Sequence, residues 1–439
     1  MDREKILELV KEYAKKEYCS KEFIEGESPI YVSGRVFDED DVAALVDSAL
    51  DFHLTTYRYN DEFEKGLKDF FGLKYALTCN SGSSANLIAI TSLTSHLLKD
   101  RALKTGDEVI TVAAGFPTTV NPILQNNLIP VFVDVELETY NIDTDKIENA
   151  ISTKTKAIVL AHTLGNPFNI KKVKEICNKY NLWLIEDCCD AFGTTYNNQK
   201  VGTFGDIATL SFYPAHHITI GEGGAVLTNN PILKKAMESI RDWGRDCWCA
   251  PGCDNTCNQR FSQKLGDLPE GYDHKYIYSH LGYNLKITDM QAACGVSQLK
   301  KINKFIEKRK ENFIKIKEKL EKFSKYLILP KAQENSDPSW FGFLISVKEK
   351  APFTRNDLVK YLNECKIGTR LLFAGNIIKQ PYMKGRNYRI VGDLTNSDFI
   401  MNNTFWIGVY PGINNEMIDY IYRIFYKFIE EKRREEKRR

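Results

Sequence analysis

Between residues 75 and 229 the sequence alternates short apolar runs with helical stretches, and this alternation limits the fold more than any other feature. The runs are YALTCN, GDEVITVA, IPVFVDV, KAIVLAH, LWLIEDC, IATLSFY and GAVLTN. Most are near-continuous in Val, Ile and Leu rather than alternating with polar residues, as strands covered on both faces are. Helical segments such as 83–98 and 169–180 lie between them. The pattern predicts an α/β chain with a mainly parallel sheet, whose ligands bind beyond the carboxyl ends of the strands.

Upstream, residues 2–18, 40–52 and 61–71 read as amphipathic helices. Lys300–Phe323 reads as one long charged helix that bridges two domains. The strand WFGFLISV, a helix near 355–364 and a last helix at 415–432 follow it and predict a smaller α+β domain. The expected division is a helical extension at 1–34, a large domain at 35–300, and the long helix with a small C-terminal domain at 301–439.

The formal charge is +2, from 60 basic and 58 acidic residues. No global field favours nucleic acid or a membrane surface. The run from Glu430 to Arg439 mixes both signs and reads as a solvated helix end. The first 18 residues carry charges throughout, unlike a signal peptide, and no stretch nears the ~18 apolar residues of a membrane span. The expected location is the cytoplasm. Eleven cysteines there are expected to be thiols or metal ligands rather than disulfides.

Three segments carry chemistry. LWLIEDCCDAFG sets Asp187 at the end of an apolar strand, where a buried carboxylate needs a partner such as a protonated heterocyclic nitrogen. The plainer reading is a helix cap or a surface acid. CNSGSSANLIAI follows a strand and opens a helix, so Gly82, Ser83 and Ser84 would offer amides and hydroxyls to an anion. The plainer reading there is a capped helix. No GK[ST] follows, which excludes the phosphate loop of nucleotide hydrolases. TLSFYPAHHITIGEGGAVLTN runs from strand to loop to strand, with Gly221, Gly223 and Gly224 permitting a tight return.

This last pattern resembles the DegT/DnrJ/EryC1/StrS family of sugar aminotransferases, and the resemblance covers roughly residues 30–430. The family implies an aspartate-aminotransferase-type domain (PLP fold type I) that binds pyridoxal phosphate. By resemblance, Ser83 and Ser211 meet the cofactor phosphate, Phe116 stacks on its ring and Asp187 pairs with its ring nitrogen. Asn284 matches an asparagine that reaches the phosphate from the neighbouring subunit, which implies a homodimer. The family's loop reads SF-x-x-x-K, with the lysine bound covalently to the cofactor. Here His216 takes the lysine's place. Histidine makes no such stable link, so the amine form, pyridoxamine phosphate, is expected to stay noncovalent. An imidazole can take a proton from the cofactor's C4′ carbon, which turns amino transfer into loss of a β-hydroxyl. The bland alternative is an aminotransferase that has lost its activity. His217 is assigned no role. One departure is Tyr57, which stands where the family often has Gly.

Cys189, Cys247, Cys249 and Cys257 form a C-x57-C-x-C-x7-C pattern. It resembles the [2Fe–2S] motif of the CDP-4-keto-6-deoxyglucose 3-dehydratase branch, in a cysteine-rich loop at 241–260. That resemblance implies a nucleotide-linked 4-keto-6-deoxyhexose as substrate, and electrons from a separate NADH-dependent flavin and iron–sulfur reductase. The product would be a precursor of 3,6-dideoxyhexoses such as those of lipopolysaccharide O-antigens. Two rivals remain: a cluster-free GDP-4-keto-6-deoxymannose 3-dehydratase, and a non-catalytic zinc-stabilised sugar-nucleotide-binding protein. The expected spectators are Cys253, inside the loop, and Cys188, whose side chain should point opposite to that of Cys189. Cys19, Cys79, Cys177, Cys294 and Cys365 are expected to be buried thiols.

Overall fold

Each of the seven apolar runs contains a strand of one sheet. Its order is Tyr75–Cys79, Gly224–Thr228, Ile207–Ser211, Trp183–Asp187, Thr155–Ala161, Glu108–Val112, Ile129–Val133 and Arg389–Ile390. Gly224–Thr228 runs antiparallel to both neighbours, and the other pairings are parallel. The chain is described here by a computed structural model that covers residues 2–18, 22–249 and 253–438. Cys19 and the centre of the cysteine-rich loop, 250–252, lie outside the described residues.

Apolar clusters cover both faces of the sheet, as the near-continuous Val, Ile and Leu runs demand. Helix Arg58–Phe71 shows how one face is closed. Tyr59, Phe63, Leu67 and Phe71 recur every four residues and are all buried. Each such side chain is worth ~1.5–3 kcal/mol on burial. The helix stops at Gly72, which takes a left-handed φ of 69°. Its start has no local side-chain cap. Instead the fully buried carboxylate of Asp289 accepts the amides of Tyr57 at 2.8 Å and Asn60 at 2.9 Å. Tyr57 has φ −150°, an extended backbone that needs no glycine.

The predicted helix at 83–98 is shorter than expected. It spans Gly82–Ser92, and a separate 3-10 turn at His96–Arg101 follows. Ser92 Oγ bonds back to the Ala89 carbonyl, and Ser95 caps the new turn through the Leu97 amide, so the chain restarts between them.

Helix Ile302–Leu320 leads into a second, antiparallel sheet of Leu327–Ile328, Gly342–Val347 and Thr404–Gly408. That sheet packs with helices Arg355–Glu364 and Asn415–Arg438 around its own core. Arg389–Ile390 departs from the expected division, because it leaves this region and joins the edge of the large sheet beside Ile129–Val133. Its Arg389 guanidinium clamps Glu108 through two bonds of 2.9 and 2.7 Å. Among the described residues, no helix is long and apolar enough to cross a membrane.

Candidate cofactor cradle and thiol cavity

Two places gather the residues singled out in the sequence. The first lies at the carboxyl ends of Trp183–Asp187 and Ile207–Ser211, where helix Gly82–Ser92 begins. Asp187 is buried and carries three donors: Asn86 Nδ2 at 2.8 Å, Thr119 Oγ1 at 2.7 Å and the Cys189 amide at 3.1 Å. Asn86 is itself fixed, since its Oδ1 accepts from Thr209 Oγ1 at 2.7 Å. Sequence reasoning missed both braces, although Asn86 lies inside CNSGSSANLIAI and Thr119 stands three residues after Phe116. A carboxylate so held stays rigid at a strand end and can meet a cationic ring nitrogen.

Ser81 caps the helix by accepting the Ser84 amide at 3.0 Å, which leaves Ser83 exposed at the first turn. Gly82 must lack a side chain: a Cβ there would lie 2.5 Å from Ser211 Cβ and 3.1 Å from Cys189 Sγ. Gly224 is as tightly placed, 2.4 Å from the Ser81 carbonyl oxygen for an added Cβ. The helix N-terminus is thus pressed against Ser211 and the returning strand, and its first-turn amides are donors of the kind an anion takes. Phe116, just before helix Pro117–Gln125, keeps 47% of its surface and meets Phe373 edge-on at 5.3 Å. Gly82→Ala is therefore expected to lower cofactor occupancy at unchanged secondary structure, read by absorbance against far-ultraviolet circular dichroism.

His216 sits on the loop after Ser211. Its ring packs at 5.1 Å on Phe341, and Nδ1 lies 3.5 Å from Asp190 Oδ1. Burial pushes the imidazole down to about 4, and the Arg309 guanidinium acts in the same direction, against the charge of Asp187. Burial and the charge of Asp187 push the Asp190 carboxyl well above the usual carboxylate range. Arg309 is buried. It donates to the His216 carbonyl at 3.2 Å and to the carbonyls of Trp340 and Phe341 at 3.3 Å, which ties the loop to the segment entering strand Gly342–Val347. His217 turns away, with Nε2 2.9 Å from the Ser339 carbonyl oxygen. Asn284 is exposed, with Oδ1 accepting from Lys286 Nζ at 3.1 Å. The donors suit pyridoxamine phosphate: amides and hydroxyls for its phosphate, an aromatic face for its ring and a carboxylate for its nitrogen.

The second place is a cavity lined by Cys247, Cys249, Cys253, Cys257 and His274. Ligand atoms of Cys247, Cys257 and His274 lie within 4.8 Å of one another. Hydrogen bonding, first from Thr256, pulls the Cys249 thiol down to about 6, whereas burial pushes Cys247 up. Cys253 lines the same cavity but is exposed. Cys189 is not in this group. Its Sγ packs beside Gly82 in the cradle because its own amide is bound to Asp187. Cys247, Cys249 and Cys257 thus line one cavity, and Cys189 Sγ lies beside Gly82. Cys188 points the opposite way, into the core with Glu186 and His162. Cys79, Cys177 and Cys294 are buried, and desolvation pushes each up to about 12; Cys365 is half-buried. His274 had no signal in the sequence, since it stands 17 residues after Cys257 in no metal-binding spacing. Thiolates and an imidazole suit iron or zinc.

Comparison with known proteins gives the family and the fold. The chain is 62% identical to the lipopolysaccharide biosynthesis protein RfbH of Salmonella typhimurium, over 97% of this chain and 98% of that one. It is 53% identical to the dTDP-4-dehydro-2,6-dideoxy-D-glucose 3-dehydratase of Saccharopolyspora spinosa, over 97% and 92%. The solved Escherichia coli GDP-4-keto-6-deoxy-D-mannose-3-dehydratase with bound hydrated PLP matches with a TM-score of 0.80 at 30% identity, covering 90% of this chain and 98% of that one. The fold is PLP fold type I, as expected. Residues 36–425 match the family model, and the chain belongs to the DegT/DnrJ/EryC1/StrS aminotransferase family.

Proposed function

We propose that this chain is a pyridoxamine-phosphate-dependent dehydratase that removes the C3 hydroxyl of a nucleotide-linked 4-keto-6-deoxyhexose. What supports this reading is His216: an imidazole on the loop after Ser211, with Nδ1 3.5 Å from Asp190 Oδ1 and close enough to Asp187 to feel its charge, in the place that the resemblance gives to the lysine. When bound, pyridoxamine phosphate supplies a primary amine and a ring that accepts electrons. Asp187 would hold the ring nitrogen, and Gly82, Ser83, Ser84 and Ser211 would hold the phosphate. Phe116 would cover one ring face. His216, kept neutral by burial, would take the C4′ proton as the C3 hydroxyl leaves. Asn284 would reach the phosphate of a second copy in a homodimer.

Two relatives named above act on dTDP- and GDP-linked sugars. The expectation of CDP-4-keto-6-deoxyglucose rests on the cysteine spacing. We propose further that the thiol cavity holds a [2Fe–2S] cluster, with Cys247, Cys249 and Cys257 among its ligands, fed by an NADH-dependent flavin and iron–sulfur reductase. The convergent thiols and the low Cys249 thiol support that reading. The likeness to the GDP-4-keto-6-deoxy-D-mannose dehydratase favours the cluster-free course instead. The visible spectrum of anaerobically purified protein separates them: a cluster chromophore with stoichiometric iron and sulfide, or a cofactor band alone.

The dehydratase reading is tested by His216→Lys. The variant is expected to hold its cofactor through a borohydride-trappable link at residue 216, found by mass spectrometry and missing from the parent. A link at any other lysine would show that His216 does not occupy the lysine position.

A further inference from the structure

Asp242 and Asn284 are bridged as antiparallel neighbours, and the Trp243 amide bonds the Tyr283 carbonyl at 2.6 Å. Trp243 has a φ of 63°, a left-handed backbone that a bulky side chain rarely takes. Surrounding contacts have to hold such a residue, and such residues gather at functional sites. The turn brings the indole ring to 3.7 Å from Lys286 Nζ, where a cation and an aromatic face attract. Only 10% of the Lys286 side chain is exposed. Its ammonium donates to Asn284 Oδ1 at 3.1 Å and to Asp242 Oδ1 at 3.3 Å. An ammonium has donors and no acceptor, so the oxygen end of the Asn284 amide has to face it. The NH2 end is thereby turned away from Lys286, on a residue that is itself exposed. The backbone beside it is fixed as well, since the Leu285 carbonyl accepts the Asn80 amide at 2.8 Å, next to the helix-capping Ser81. An amide held in this way presents a pre-set donor of the kind a phosphate oxygen takes.

From this geometry we infer that Lys286 is a positioning residue, which fixes the Asn284 amide so that Nδ2 donates to the cofactor phosphate of a second copy of this chain. The inference rests on the reading of Asn284 as the residue that reaches across a homodimer. Lys286 acts through Asn284 and does not itself meet the cofactor. An orientation set before binding spares the complex the loss of freedom of that side chain. Removing the ammonium strands no charge, because Asp242 keeps the Arg241 guanidinium at 3.0 Å.

The test uses the full chain, freed of cofactor by dialysis and titrated with pyridoxamine phosphate. Absorbance reads Kd, while sedimentation and far-ultraviolet circular dichroism check the dimer and the fold. The parent, Asn284→Ala, Lys286→Met and the double variant are compared, and Lys286→Leu repeats the comparison should methionine not be accommodated. Asn284→Ala is expected to raise Kd about 10-fold or more, because it deletes a hydrogen bond to a charged group. Lys286→Met, which still packs on Trp243, is expected to raise Kd about 2–10-fold, the usual cost of ordering one side chain. In the double variant Lys286→Met should add nothing to Asn284→Ala, as a residue that acts through another requires. Lys286→Arg, which keeps a donor, should bind as the parent does. A further loss when Lys286→Met is added to Asn284→Ala overturns the inference, since Lys286 then meets the phosphate or supports the fold by itself. An unchanged Kd in Lys286→Met beside a weakened Asn284→Ala also overturns it and leaves the reading of Asn284 standing. An unchanged Kd in Asn284→Ala overturns both.

Discussion

Replacing His216 with asparagine is expected to slow C4′ proton exchange by about 10²–10⁴-fold, the usual worth of a positioned general base. The amide keeps the approximate shape of the imidazole but accepts no proton. Cofactor binding should persist, because Asp187, Phe116 and the Gly82–Ser84 turn are untouched, and so should any iron. The pH profile gives a second reading. With the imidazole held down to about 4, the free base exists at all higher pH. Exchange in the parent should therefore be level from pH 8 to about pH 5 and fall only as the pH nears 4, rather than breaking near the usual histidine value of about 6.5. A break near 6.5 would mean that His216 is solvated in the working enzyme. Tritium exchange at C4′ with solvent measures both.

The second large effect separates dehydration from reduction. Serine at Cys249 or Cys257 is expected to remove the metal centre and abolish product formation with the reductase present. The same variants should keep most of the C4′ exchange, which needs His216 and the cradle only. Cys253→Ser should leave iron and product formation near the parent, since that thiol is exposed. If Cys249→Ser and Cys257→Ser both retain full product formation, the centre is structural or absent and the function moves to the cluster-free course. Cys189→Ser is expected to act differently, on cofactor occupancy, because its Sγ packs against the turn at Gly82.

The seven strands were legible because each is an uninterrupted apolar run bounded by turn residues, and burial on both faces leaves no other pattern. Arg389–Ile390 was not, since a two-residue strand has no periodicity and is placed by the Arg389–Glu108 clamp. The cradle could be read from its chemistry. A carboxylate at a strand end, Ser-Gly-Ser before a helix and SFYPAH after a strand each announce a position along the chain. Asn86 and Thr119 could not, because bracing Asp187 is a relation across space. The thiol cavity shows the limit most plainly. Spacing counts residues but not directions: it grouped Cys189 with three loop thiols and carried no sign that Cys189 Sγ packs beside Gly82. It also left out His274, whose partner Asp246 stands 28 residues upstream.

The cap on helix Arg58–Phe71 has a consequence for synthesis. The carboxylate that closes the helix start belongs to Asp289, 232 residues beyond Tyr57. At ~5–20 residues per second, a ribosome needs about 12–46 s to travel that far. Strand Tyr75–Cys79 waits as well, since its partner in the sheet is Gly224–Thr228. Throughout that interval Phe63, Leu67 and Phe71 have an amphipathic helix to sit on and no finished surface to cover them. Residues 58–79 are thus made long before they can be completed, and a nascent chain arrested before its partners Phe192, Phe212 and Gly224–Thr228 are made exposes an apolar stripe that a holdase chaperone can bind.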